Sequence, residues 1–295
     1  MNLVLVCGIN NNKFMLHDTS AGVLGIVAMN LSIVSQLSSI SQPKFSYCFS
    51  IVKSHNYLAK IPIGAPSSDI LTTIDTSNGI LWIQCKPCLQ CIDYTNSSTY
   101  TPSSCNSSSH CKLSPNGHCK DIPNGCTYHT QYGNQDESFG YLASKSIGIN
   151  SDGGVETTNM NLVFVCGINN NKFMLHDKSA GVLGIAAMNL SIVSQLSSIS
   201  QPKFSYCFSN LSDSSSRGNL IFGDAHISGF TTPLIFDRFY YLSLNGISVG
   251  LKKLNIPQGT FDRKDSNSDS DLGSDSSSGG VIIDSGTPLT ILAKE

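Results

Sequence analysis

Two short runs carry the residues whose types and spacing suit chemistry. Ile74 to Gly79 reads IDTSNG, and Ile283 to Pro288 reads IDSGTP. Each ends an apolar run in an aspartate, Asp75 or Asp284, and follows it with a hydroxyl, Thr76 or Ser285. A lone aspartate in a turn ordinarily caps backbone N–H groups and implies no catalysis. Two aspartates delivered by matched segments open another chemistry, because neighbouring carboxylates resist double ionisation and hold one proton between them. One then serves as base and the other as acid. A water loses a proton to the base and attacks an amide carbonyl, whose oxygen is protonated by the acid. That reaction needs no metal and no cofactor.

The two loops are not equivalent. Gly286 and Thr287 in the second correspond to Ser77 and Asn78 in the first. A glycine lets a backbone N–H approach the carboxylate in a conformation that a Cβ resists, so Ser77 is expected to impose strain of about 1–3 kcal/mol. The N–H itself survives, and Asn78 can still donate through its amide.

Holding two such loops requires strands. β-Branched or alternating runs occur at 57–64, 70–74, 128–132, 162–167, 219–222, 240–249 and 281–283, punctuated by Gly, Pro, Asn and Ser. They predict an all-β chain. SIVSQLSSI, at 191–199, reads as a short helix, and the acidic, serine-rich stretch 265–280 as a solvated loop.

Residues 1–50 repeat residues 160–209 with three differences, Leu5/Phe164, Thr19/Lys178 and Val27/Ala186. Structural repeats diverge until only the packing pattern survives, so one nearly unchanged copy reads as a recent duplication or a misjoined gene. The copy is expected to be a stray segment, with the chain proper beginning near Asn56. Its strand-like NLVLVCGI and helix-like AMNLSIVSQLSSI also equip it to compete with the later copy for a place in the fold.

The chain has 295 residues, a formal net charge of -2 and 13% charged residues, which supplies no basic surface for nucleic acid and no polybasic membrane anchor. Of its 11 cysteines, seven crowd between Cys85 and Cys126 in a loop-rich stretch, pointing to disulfides and an oxidising compartment. Zinc is the competing reading of Cys85, Cys88 and Cys91, but they lack a second CxxC or a His pair. Asn96, Asn106 and Asn210 each begin a glycosylation sequon. MNLVLVCGIN does not read as a secretory signal peptide.

With these residues in order, the chain resembles the pepsin-like aspartic proteases, specifically the plant nepenthesin-type group. The resemblance runs from about Asn56 to Leu292 and is carried by YLAKIPIG, LWIQCKPCLQC, KFSYCF, FYYLSLNGISVG and VIIDSGTPLTIL. It implies a bilobal β fold with one aspartate per lobe: Asp75 and Asp284 as the dyad, Thr76 and Ser285 tying the loops together, and Ser77, Gly286 and Thr287 supporting them. It further implies that Tyr132 and Gly133 form a flap over the cleft, that Trp82 meets Tyr132, and that GVLG at 181–184 threads behind the Asp75 loop. The pairing it implies is Cys85 with Cys88, Cys91 with Cys166, Cys105 with Cys126 and Cys111 with Cys119. Cys207 is left without its family partner.

Departures from that family qualify the expectation. YGNQDESFG replaces a glycine-containing flap turn and puts Gln135 where glycine is favoured. The chain stops at Glu295, so the counterpart of GVLG behind the Asp284 loop is expected to be missing. The implied organisation is a stray copy at 1–50, an amino-terminal lobe with a cysteine-rich insert at 56–205 and a truncated carboxy-terminal lobe at 206–295. The implied activity is an aspartic endopeptidase, impaired or inactive in this chain, acting as a monomer on polypeptide in an extracellular or vacuolar setting. The rivals are a catalytically dead binding or inhibitor protein and a non-functional fragment.

Overall fold

The structure, a computed structural model, describes residues 6–7, 22–25, 50–51, 57–86, 91–94, 97–105, 110–114, 117–120, 125–131, 137–150, 157–170, 179–206, 220–223, 232–264, 278–287 and 290–292. Most of them lie in strands. Tyr57–Ile63 and Ser68–Asp75 form an antiparallel hairpin, Leu58 opposite Thr73 and Ile63 opposite Ser68. Their connection turns at Gly64, whose φ of 90° suits glycine.

The larger sheet runs in the order Ser50–Ile51, Tyr57–Ile63, Ser68–Asp75, Gly181–Gly184, Leu81–Gln84, Thr157–Asn169, Glu137–Asn150, Gly125–Gln131 and His118–Lys120. Inside it, Gly181–Gly184 lies parallel to Ser68–Asp75 and antiparallel to Leu81–Gln84. Leu81, Trp82 and Ile83 are wholly buried, as both faces of an internal strand should be. One core cluster gathers Ile63, Ile74, Leu81, Ile147, Phe164 and Leu183, and another gathers Trp82, Tyr128, Leu142, Val165 and Val182.

The smaller sheet runs Val6–Cys7, Ile291–Leu292, Gly22–Gly25, Val281–Asp284, Phe239–Leu242 and Leu234–Asp237. Here the expectation from sequence fails. Gly22–Gly25, within the duplicated segment, lies parallel to Val281–Asp284 and antiparallel to Ile291–Leu292. A strand therefore does run behind the Asp284 loop. The backbone N–H and C=O groups along that edge need partners, and a GVLG copy supplies them.

Other expectations shift in detail. The 240–249 run divides into Phe239–Leu242 and Ser248–Val249, because only the first has strands on both sides. The longest strand, Glu137–Asn150, has too many small and polar residues to announce itself. The short helix occurs as Ile192–Gln195, capped by the Ser191 hydroxyl accepting from the Ser194 N–H and followed by a 3-10 turn at Leu196–Ser198. Of the acidic loop, Ser278–Gly279 pairs with Arg263–Lys264, and 265–277 lies outside the described residues.

The disulfides also differ from those the resemblance implied. Cys85 bonds Cys166, Cys105 bonds Cys119 and Cys111 bonds Cys126. The first follows from strand order. Leu81–Gln84 runs parallel to Thr157–Asn169, the Cys85 N–H donates to the Gly167 carbonyl, and the two cysteine Cα atoms end 5.4 Å apart. In the other two, Cys119 and Cys126 face each other across paired strands, and the Cys119 and Cys111 sulfurs approach to 3.5 Å. Cys119 thus lies near the sulfurs of both disulfides. Cys91 is also a half-cystine. Cys88 and Cys207, and the sequon residues Asn96, Asn106 and Asn210, lie outside the described residues. No helix among the described residues is long and apolar enough to cross a membrane.

Candidate active site

Asp75 ends the Ser68–Asp75 strand and Asp284 ends Val281–Asp284. Each aspartate stands opposite the last glycine of a GVLG strand, Gly184 for Asp75 and Gly25 for Asp284. Behind the first loop the support continues, with the Ile185 N–H donating to the Asp75 carbonyl and the Ala186 N–H to that of Asn78.

The hydroxyls that follow the aspartates join the loops in a reciprocal lattice. The Thr76 hydroxyl donates to the Ile283 carbonyl at 2.8 Å, and the Ser285 hydroxyl to the Ile74 carbonyl at 3.0 Å. In return the Ser285 N–H donates to Thr76 Oγ1 at 2.9 Å, and the Thr76 N–H to Ser285 Oγ at 3.1 Å. Both residues are buried, so these four bonds are shielded from water.

The lattice sets the Asp75 carboxylate against the second loop. A Cβ added at Gly286 would lie 2.7 Å from Asp75 Cγ and 2.9 Å from both of its carboxylate oxygens. Asp284 is buried, and its Oδ1 accepts from the Gly286 N–H at 2.7 Å while its Oδ2 accepts from the Thr287 hydroxyl. Asp75 Oδ1 accepts from both the N–H and the hydroxyl of Ser77, at 2.8 and 2.7 Å. Burial, then the nearby Asp284 charge, pushes the Asp75 carboxyl up to about 7, against donors from Ser77 and the Asn78 N–H that favour its ionised form.

Ser77 behaves differently from the sequence expectation. The positive φ that would strain it is absent: among the described non-glycine residues only Arg238 has one. Its hydroxyl instead donates to the carboxylate. Asn78 contributes through its backbone N–H, while its side-chain carbonyl accepts from the Ile80 N–H. The hydroxyl that Thr287 supplies from three residues beyond Asp284 thus comes from two residues beyond Asp75, and onto the oxygen that also receives the amide.

Trp82 is fully buried and donates from Nε1 to Ser138 Oγ at 2.6 Å, and Ser138 donates onward to Asn170 Oδ1. Tyr132 and Gly133 join the paired strands Gly125–Gln131 and Glu137–Asn150 but lie outside the described residues. Sequence reasoning missed the carbonyls of Ile74 and Ile283, which no side-chain pattern marks. It also missed Gly22–Gly25, although their identity to 181–184 was a usable signal.

The pattern of one known family, described as xylanase inhibitor N-terminal, matches residues 57–224. The chain belongs to this family and, with it, to the plant pepsin-like aspartic protease family. A probable aspartic protease of Arabidopsis thaliana is 34% identical over 80% of this chain and 56% of its own length. The aspartic proteinase nepenthesin-2 of Nepenthes gracilis is 34% identical over 81% of this chain and 53% of its own. The chain thus spans about half the length of these relatives. Among solved structures, the basic 7S globulin from soybean is similar at a TM-score of 0.55 and 22% identity, covering 68% of this chain and 57% of that one. At that identity the likeness establishes the all-β fold and nothing of activity.

Proposed function

We propose that the chain is an aspartic endopeptidase in which Asp75 and Asp284 share one proton and activate a water against a peptide bond. The observation that carries this reading is the reciprocal Thr76–Ser285 lattice, which holds the two carboxylate loops together, where burial and then the Asp284 charge push the Asp75 carboxyl up to about 7. In the reaction Asp284 takes a proton from the water, the water oxygen bonds to the carbonyl carbon, and Asp75 delivers its proton to the carbonyl oxygen. The substrate is an extended polypeptide segment, the acting form a monomer, and the disulfides suit an extracellular or vacuolar compartment. The Ser77 hydroxyl on Asp75 lowers the rate relative to a chain with two glycine-bearing loops, since it favours the ionised form of the acid.

That same hydroxyl favours a second reading, in which the fold binds a protein in its cleft without cutting it, as the family's inhibitor description suggests. One experiment separates the two. The disulfide-bonded chain is incubated with an unfolded protein between pH 3 and 8, beside Asp75→Asn and Asp284→Asn variants. Cleavage strongest below pH 7 and reduced about 10²–10⁴-fold in both variants supports the protease. Stable binding without cleavage supports the second reading, and cleavage undiminished in Asp284→Asn overturns the dyad.

A further inference from the structure

The two GVLG strands are held in equivalent register. In the larger sheet Val182, Leu183 and Gly184 stand opposite Thr73, Ile74 and Asp75, while Gly181 and Val182 stand opposite Ile83 and Trp82. In the smaller sheet Val23, Leu24 and Gly25 stand opposite Ile282, Ile283 and Asp284, while Gly22 and Val23 stand opposite Leu292 and Ile291. The agreement extends one strand further. Val165 and Cys166 pair in parallel with Trp82 and Ile83, and Val6 and Cys7 pair in parallel with Ile291 and Leu292. Both donor strands come from the duplicated sequence, and each occupies the same place relative to its aspartate.

From this we infer that the amino-terminal copy is a working part of the site: Gly22–Gly25 is the positioning strand of the Asp284 loop, seated in a slot built for a Gly-x-x-Gly tetrapeptide. The slot's demand for glycine is visible in the larger sheet. A Cβ at Gly181 would lie 2.9 Å from Ile83 Cα and collide with the Trp82 carbonyl, and one at Gly184 would lie 2.6 Å from the Asn78 carbonyl. By the matching register, the same demand for glycine is assigned to positions 22 and 25. The strand bonds on both sides, so it closes the backbone groups of Val281–Asp284 and Ile291–Leu292 together, and a carboxylate at the end of a strand is only as fixed as that strand. The copies therefore do not compete for one place; the second sheet offers an equivalent one.

This inference deepens the proposed function, since it concerns the same carboxylate, but its test does not depend on cleavage. Amide hydrogen exchange is measured on the full disulfide-bonded chain and on a Gly22→Val, Gly25→Val variant, with and without a synthetic SAGVLGIV peptide of residues 20–27. We expect amides of 281–284 and 291–292 to exchange about tenfold faster or more in the variant. Protection of 58–63 should persist, and the added peptide should restore 281–284 where a scrambled peptide does not. Unchanged exchange at 281–284 would overturn the inference, as would a loss that the peptide fails to restore. Faster exchange in the variant of a chain that does not cut would leave the strand assignment standing and overturn only the protease reading, whereas unaltered exchange in a chain that cuts would do the reverse.

Discussion

Thr76 and Ser285 each donate a hydroxyl to the carbonyl of the residue preceding the other's aspartate. Because each hydroxyl also accepts the other's N–H, removing one orphans a buried N–H and a buried carbonyl at once. Thr76→Val and Ser285→Ala should each destabilise the fold by about 1–3 kcal/mol. The double variant should cost less than the sum by about 0.5–3 kcal/mol: each hydroxyl owns two bonds of its own, but loss of either pair loosens the same two loops that the other pair must span. Urea denaturation of the four species checks this, and strict additivity would show that the lattice does not act as a unit.

Asp75 links stability to pH. Its carboxyl is raised to about 7 in the fold, against about 4 in an unfolded chain, so between those values the folded state holds a proton that the unfolded state has released. The contribution is fully present below about pH 4 and is lost as pH rises through 7. An Asp75→Asn variant lacks it. Denaturation midpoints of the parent should therefore fall relative to the variant between pH 4 and 7, and parallel curves would contradict the raised value.

Ser77→Gly tests what the hydroxyl does. One donor to Asp75 Oδ1 disappears, and that donor lowers the affinity of Asp75 for its proton. The alkaline limb of the pH–activity profile should move to higher pH. Relief of backbone strain would instead raise the rate with the limb unmoved.

Gly286→Ala places a methyl carbon 2.7 Å from Asp75 Cγ, closer than side-chain carbons approach. The obstacle is the Asp75 carboxylate, which the proposed reaction uses as its acid, so accommodation displaces it. A loss of about 10² in kcat is expected, a displacement of the order of 1 Å being enough for that. Steady-state kinetics on an unfolded protein checks it.

Peptide mapping without reduction should recover Cys85–Cys166, Cys105–Cys119 and Cys111–Cys126. Recovery of Cys105–Cys126 with Cys111–Cys119 would show that the neighbouring sulfurs settle in the other arrangement.

What the sequence made legible was local. Apolar runs ending in Asp75 and Asp284, with hydroxyls next in line, disclosed both loops, because strand pattern and turn chemistry are written within a few residues. Partnership was not so written. Glu137–Asn150 owes its strand to neighbours on both sides rather than to propensity. Cys119 lies near both Cys105 and Cys111, and no spacing in the sequence encodes which of the two it takes. Ser77 looked like an intrusion because a missing glycine is visible in one dimension, whereas its hydroxyl's aim at Asp75 requires three. The first fifty residues looked redundant for the same reason: identity of sequence reveals a copy but not the edge it joins.

That one tetrapeptide lies in two sheets says where alignment is specified. The donor carries the same four letters in both, so it holds no instruction that distinguishes Asp75 from Asp284. Each acceptor pair, Ser68–Asp75 with Leu81–Gln84 and Val281–Asp284 with Ile291–Leu292, must state the alignment by itself, through the spacing between its aspartate and its returning strand. GVLG is in this sense a standard component, and the tolerance of the chain to change is divided accordingly. Alterations to the acceptors act on one sheet, while a change made alike in both copies reaches both aspartate loops at once.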